Sequence, residues 1–398
     1  MTLSRRAFLR TARPVTGIPS HAMITARGRE ALEGEFGEVE AGTIPPADMD
    51  AIRISSNENP LGPGESAIQA IRDNMDQSNR YPMNARMTDT DFRKRLAKQF
   101  DGATYENVVI APGSGEILRN CVRSFTGPGR PLVTAECSYE SPVATAELFD
   151  IPVKTVPNGD DLGLDLDKMA GAALGAGLVF LCNPNNPTGT AHGKRAISDF
   201  IRYVAKESPF TYILLDEAYN EYVTDPAYET GVDLAMKYHN VLVGRTFSKA
   251  YGMAGLRQGY AIGTKATAAK IRSYKLTFGA NVLGSAAAMG TLDDPDHLKQ
   301  EVARNTAVRD FTVDFFRSNG YWVSNSQTNF IFAKTNMTAT AFREACAKHN
   351  VHVGRDFPPY EKEYSRISIG TMDEMKRATE VFREVLGISA TDAGAGSN

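Results

Sequence analysis

LVFLCNPNNPTGTAHGKRAISDFIRYV, residues 178–204, places a strand, a turn and a helix in direct succession. Leu178 to Leu181 form an unbroken apolar run of the length of a buried strand. Asn, Pro and Gly crowd residues 183–189, which is turn chemistry. Ile197, Phe200, Ile201 and Val204 then recur at the spacing of a helix with one apolar face. The same pattern lies on either side. Asn107 to Ile110 is a short apolar run, followed after Gly113-Ser114-Gly115 by Ile117, Leu118, Cys121, Val122 and Phe125 at helical spacing. Tyr212 to Leu215 and Val241 to Val243 read as two further strands. Strands that alternate with helices predict an α/β fold, a mostly parallel sheet with helices on both faces.

The last hundred residues read differently. Phe342 with Cys346, and Met375, Ala378, Phe382 and Val385, mark helices. Asn329 to Ala333 and Arg366 to Ile369 mark strands between them. Asp373 and Glu374 suit the first turn of the final helix and Gly387 its end. This predicts a smaller α+β domain. The expected division is an N-terminal arm over 1–30, a segment over 31–55 packing on the small domain, a large domain over 56–285, a small domain over 286–388, and a disordered tail over 389–398 rich in Gly, Ala and Ser.

The chain has 398 residues, enough for two such cores, and a net charge of −3. That balance gives no basic face for nucleic acid and no global attraction to an anionic membrane. No apolar stretch has the length of a membrane span. The four cysteines, Cys121, Cys137, Cys182 and Cys346, lack metal-ligand spacing and read as reduced, mostly buried thiols. The six histidines form no HxxxH pair, so no protein-bound metal is expected. Gly171, Gly175 and Gly177 precede a strand, whereas a dinucleotide fingerprint follows one. Ser4 to Arg10, SRRAFLR, resembles a twin-arginine export signal, but Arg13, Pro14, Gly17, Pro19 and His21 interrupt the apolar region such a signal needs. A cytoplasmic location is the expectation and a periplasmic one the alternative.

Each strand ends in polar or glycine-rich chemistry, and open α/β sheets bind ligands at the carboxyl ends of their strands. Gly113-Ser114-Gly115-Glu116 leads into a helix start, whose free N–H groups favour an anion; taken alone it reads more readily as a plain turn. Asn186 offers an amide donor and acceptor within a turn. Asp216 closes an apolar run, so its carboxylate needs a cationic partner; a helix cap or a structural ion pair is the other reading. Lys249 lies in Thr246-Phe247-Ser248-Lys249, with Arg257 eight residues on. It offers a nucleophilic amine beside two hydroxyls and a planar cation, although most lysines are solvated surface groups.

NPNNPTG at 183–189, DEAYNEY at 216–222 and SKAYGMAGLRQGY at 248–260 resemble the fold-type I pyridoxal-phosphate aminotransferases, and most closely the histidinol-phosphate aminotransferase-like subgroup. SNENPLGP at 56–63, RYP at 80–82 and RISIGT at 366–371 are similar too, so the resemblance runs in order from about residue 52 to 386. It implies that Lys249 holds pyridoxal phosphate as a Schiff base and shuttles the substrate proton. Asp216 would keep the pyridine nitrogen protonated, and Asn186 and Tyr219 would bond the ring oxygen. Tyr139 would stack on the ring. Gly113, Ser114, Gly115, Thr246, Ser248 and Arg257 would hold the phosphate, and Tyr81 would reach it from the other subunit of a homodimer. Arg366 would take the substrate carboxylate; Arg355, Asn59 and Asn186 complete the substrate set. The implied reaction moves an amino group between an amino acid and a 2-oxo acid. The alternative on the same cofactor is decarboxylation or oxidation of an amino acid.

Two departures bear on the substrate. The family's proline-tyrosine-proline-glycine signature is missing from Glu35 to Gly42. Arg355 has unusual flanks in Gly354 and Phe357-Pro358-Pro359-Tyr360. It can contact a substrate phosphate, contact a side-chain carboxylate, or pair with Asp356.

Overall fold

The computed structural model describes residues 50–389. The twin-arginine stretch, residues 31–49 of the N-terminal segment, and the tail beyond 389 lie outside that range. Eleven strands follow in chain order. They are β1 (Ile52–Ile54), β2 (Val108–Ala111), β3 (Leu132–Ala135), β4 (Val153–Val156), β5 (Leu178–Cys182) and β6 (Tyr212–Asp216). Then come β7 (Val241–Thr246), β8 (Gly259–Gly263), β9 (Phe330–Lys334), β10 (Val351–Val353) and β11 (Tyr364–Ser368).

Seven of them form one sheet in the order β2-β8-β7-β6-β5-β3-β4. Only β8 runs against its neighbours; the other pairings are parallel. Alternate residues of one strand feed opposite cores, as the twofold side-chain period requires. Val179 and Leu181 pack with Ile197, Phe200, Ile201 and Val204 of the helix Lys194–Glu207. Leu178, Phe180 and Cys182 pack with Ile117, Leu118, Cys121 and Val122 of the helix Ser114–Phe125. Apolar runs without polar alternation are therefore what this sheet demands, and they made β2, β5, β6 and β7 legible. Three strands of the sheet escape such a reading. β4 (VKTV) is a half-exposed edge strand, β8 (GYAIG) carries a glycine at each end, and β3 (LVTA) is broken by a threonine.

Beyond residue 290, the helices Pro295–Ser318, Ala339–Ala347 and Met372–Val385 pack on two short ladders, β9 with β11 and β1 with β10. Ile52 and Ile54 enter this core beside Phe342, Met375 and Phe382. Thr371 closes a capping box with Glu374 on the final helix, and Gly387 has a φ of 67° after its end. All four cysteines are buried and free. Among the described residues no helix is long and apolar enough to cross a membrane, and no cluster of side chains has the makeup of a metal site.

A buried ion pair joins the ends of β6 and β7. Arg245 donates to Glu217 through Nη2 at 2.7 Å and Nε at 3.1 Å. Glu217 also accepts from Thr230 Oγ1 at 2.7 Å and from the Gly231 N–H at 2.6 Å. The side chain of Glu217 is fully covered and that of Arg245 nearly so. Breaking such a pair from one side strands a charge in low dielectric. Arg245→Met is therefore expected to lower stability by about 3–5 kcal/mol. Adding Glu217→Gln should recover much of the loss. Denaturant titration followed by circular dichroism measures both, and a double variant as weak as the single one would refute the pairing account.

Candidate functional site

β2, β3, β5, β6 and β7 point the same way, so their carboxyl ends open at one edge of the sheet. The chain leaving β2 turns at Gly113 with φ 79° and enters the helix Ser114–Phe125. A Cβ at Gly113 would stand 2.1 Å from Arg257 Nη2, so glycine is what lets the guanidinium lie against this turn. Gly115 faces open space. The chain leaving β7 adds two hydroxyls: Thr246 Oγ1 donates to Ser248 Oγ at 2.9 Å and accepts the Ser248 N–H at 3.0 Å. Arg257 Nη1 donates to Ser248 Oγ at 3.3 Å and to the Ala254 carbonyl at 2.8 Å. Free helix N–H groups, two hydroxyls and a guanidinium form a cradle suited to a phosphate.

Asp216, at the end of β6, is buried, and its Oδ1 has no hydrogen-bond partner among the described residues. Among the described residues it is neither a helix cap nor half of an ion pair; the ion pair belongs to its neighbour Glu217. Burial pushes its pKa up to about 7, against the lowering pull of the Ala218 backbone, while Glu217 adds to the rise and Lys249 opposes it. A buried carboxylate left in this state fits a protonated ring nitrogen.

Lys249 is half-buried, not a solvated surface group. Its Nζ lies 3.4 Å from the Ser56 carbonyl and 5.8 Å from the centroid of the Tyr219 ring. Burial brings its pKa down to about 8, helped by Arg366 and Arg257 and opposed by Glu58 and Asp216. Tyr219 is buried and accepts from Asn57 Nδ2 at 3.1 Å. Asn186 accepts from Arg366 Nη1 at 2.7 Å. The neighbouring Asn185 ties this turn to the loop of Tyr139, donating to the Cys137 carbonyl at 3.0 Å and accepting from Ser138 Oγ at 2.7 Å. Tyr139 itself is half-buried and close enough for its charge to bear on Arg355 and Arg366.

Arg366 is buried on β11, not a surface arginine. Its Nη2 donates to the Ser55 carbonyl at 2.6 Å, and its Nε is buried without a partner among the described residues. Burial lowers its pKa to about 10. The guanidinium groups of Arg366 and Arg355 both lie at the Phe357 ring, 4.6 Å and 4.3 Å from its centroid. Arg355 is not paired with the Asp356 carboxylate. That carboxylate is taken by Arg343 and Thr340 at 2.7 Å each, and Arg355 pairs with Glu140 while donating to the Asp356 carbonyl at 3.0 Å.

Two expected residues stand apart. Asn59 turns to the protein, donating to the Ala250 carbonyl at 3.1 Å and accepting the Leu61 N–H at 2.9 Å, so it braces the lysine loop. Tyr81 is 62% exposed and packs on Phe278, with ring centroids 4.8 Å apart. Glu140, Ser368 and the role of Asn57 were not legible in the sequence, because each acts through a partner far along the chain.

Residues 49–382 match the family model of aminotransferase class I and II. A histidinol-phosphate aminotransferase of Akkermansia muciniphila is 34% identical over 85% of this chain and 90% of its own. An aromatic amino acid aminotransferase of Cutibacterium acnes is 32% identical over 84% and 93%. The crystal structure of histidinol-phosphate aminotransferase from Sinorhizobium meliloti in complex with pyridoxal-5'-phosphate superposes with a TM-score of 0.77 at 29% identity, covering 85% of this chain and 91% of that one.

The lone Asp216 carboxylate makes a prediction for the cofactor-free protein. Its pKa is raised from 3.8 to about 7 on folding. The stability it contributes is complete below about pH 4 and is lost as pH rises through about 7. Asp216→Asn removes that loss. Its stability advantage over the parent should grow from near zero at pH 4 towards about 4 kcal/mol at pH 8. In the loaded protein the same change should weaken cofactor binding. Denaturation at the two pH values and a cofactor titration test both, and an advantage independent of pH would contradict the account.

Proposed function

This chain belongs to the class I and II aminotransferases and is a pyridoxal-phosphate-dependent enzyme, and on that premise we propose that its preferred amino donor carries an uncharged side chain, above all an aromatic one, with a 2-oxo acid as acceptor. The observation that carries this reading is the pair between Arg355 and Glu140. Arg355 stands with Arg366 at the ring of Phe357, where it would meet a donor's side chain. Its charge is already answered by Glu140, so an anionic side chain would have to displace that carboxylate, whereas an uncharged ring need not.

Bound pyridoxal phosphate supplies a ring that withdraws electrons and stabilises negative charge on the substrate α-carbon. The chain's own residues do the rest. Ser114, Gly115, Thr246, Ser248 and Arg257 anchor the phosphate with N–H, hydroxyl and guanidinium donors. Asp216 keeps a proton on the ring nitrogen, since its Oδ1 has no other donor among the described residues. Tyr219 and Asn186 reach the ring oxygen, and Tyr139 covers the ring face. Arg366 binds the substrate carboxylate through its planar fork and orients the α-carbon. Lys249, with its pKa brought down to about 8, has a neutral fraction near neutral pH large enough to take the α-proton and return it. Asn59 acts by holding the loop of Lys249 in place.

The protein is a homodimer in this reading, and Tyr81 of each subunit completes the phosphate cradle of the other. The exposed Tyr81, Met83, Leu276 and Phe278 support such a contact.

Two measurements test these readings. Glu140→Gln should raise kcat/KM for histidinol phosphate about tenfold, one unpaired charge being released. The value for phenylalanine should change little. An equal change for both donors would remove the basis for the specificity. Lys249→Ala and Tyr81→Ala should each be inactive alone, but mixed and reassembled they should regain activity. A mixed dimer keeps one site with both residues intact, so mixtures that stay inactive would contradict the shared site.

A further inference from the structure

Three consecutive residues after β1 each touch a different group of the site. The Ser55 carbonyl accepts from Arg366, the Ser56 carbonyl faces Lys249 Nζ, and Asn57 donates to Tyr219. Asn57 is 1% exposed and has a φ of 55°, a left-handed conformation that asparagine tolerates better than most residues. All its polar groups are engaged. Its backbone N–H donates to Ser368 Oγ at 2.8 Å, and Ser368 Oγ donates to Asn57 Oδ1 at 2.7 Å. Its carbonyl accepts from Asn329 Nδ2 at 3.0 Å.

Ser368 thus holds the amide of Asn57 by its oxygen. With Oδ1 turned to the serine hydroxyl, Nδ2 faces Tyr219 at 3.1 Å. An amide nitrogen has protons only to give. The oxygen of Tyr219 must accept there, and its own proton must go elsewhere. Tyr219 is otherwise enclosed: Phe330 stands edge-on at 5.1 Å between ring centroids, and Lys249, Arg366 and Asp216 are the charged groups around it.

We propose that Asn57 is a positioning residue that aims the hydroxyl proton of Tyr219 at the ring oxygen of bound pyridoxal phosphate. This rests on the reading that Tyr219 faces that oxygen. A proton donated there favours the anionic oxygen, and so lowers the pH at which the visible absorbance of the holoenzyme titrates.

Spectrophotometric pH titration of four holoenzymes tests it: the parent, Asn57→Asp, Tyr219→Phe, and the double variant. Asn57→Asp keeps the shape and the tolerance for a left-handed backbone, but replaces the donor by an acceptor that draws the tyrosine proton back. The midpoint is expected to rise about one pH unit more in the parent background than in the Tyr219→Phe background, the worth of about one hydrogen bond. The effect of the new charge alone is present in both backgrounds and cancels in the comparison. Equal shifts in both backgrounds would overturn the positioning role. A Tyr219→Phe midpoint identical to the parent's would instead sink the reading beneath it. Asn57→Gly, which suits the backbone and deletes the amide, carries the same comparison if the charged variant binds no cofactor; a smaller rise confined to the Tyr219 background is then the supporting result, and none the opposing one.

Discussion

Asp216 ends a strand whose last four residues are buried, with a carboxylate oxygen that no donor among the described residues reaches. Folding buries that group in a low dielectric, where the Ala218 backbone and Lys249 only partly offset the lost hydration, and its pKa climbs accordingly. The amine of Lys249 is displaced in the opposite sense, down from the range of a free lysine. Burial moves both groups towards neutrality, the acid upwards and the amine downwards.

The contrast with the next residue is instructive. Glu217 is as buried as Asp216, yet it collects Arg245, Thr230 and the Gly231 N–H. One residue of a strand end is tied down by the scaffold and its neighbour is left free for a ligand. The alternation of faces along β6 sends the two carboxylates in different directions, so the lock and the site do not compete for the same donors. Rigid support behind an unsatisfied group is how a site keeps its shape while waiting for a partner.

Much of this was readable in the chain. Unbroken apolar runs revealed the strands buried on both faces, and the polar residues that follow them marked the edge where the site lies. β8 escaped because GYAIG looks like a turn in isolation and is a strand only because β2 and β7 flank it. Lys249, Asn186 and Arg257 were legible through the pattern of their neighbours. Asn57 sat in a quoted motif, but no local pattern says that its amide meets a tyrosine beyond residue 200. Glu140 drew no notice after Tyr139, and its pairing with Arg355 depends on a loop more than two hundred residues later. What a side chain offers can be read from its type; which distant group receives it is decided by topology.

The hydrogen bonds between Asn57 and Ser368 join residues 311 positions apart. A ribosome that has released the chain only as far as β8 has already delivered every strand of the seven-stranded sheet. At that moment β1 has no β10 to pair with, and Arg366 does not yet exist. The phosphate cradle, the lone carboxylate and the amine are all present, while the clasp that closes over them is not. Synthesis thus delivers the residues proposed to grip the cofactor before Arg355 and Arg366, which are proposed to read the substrate.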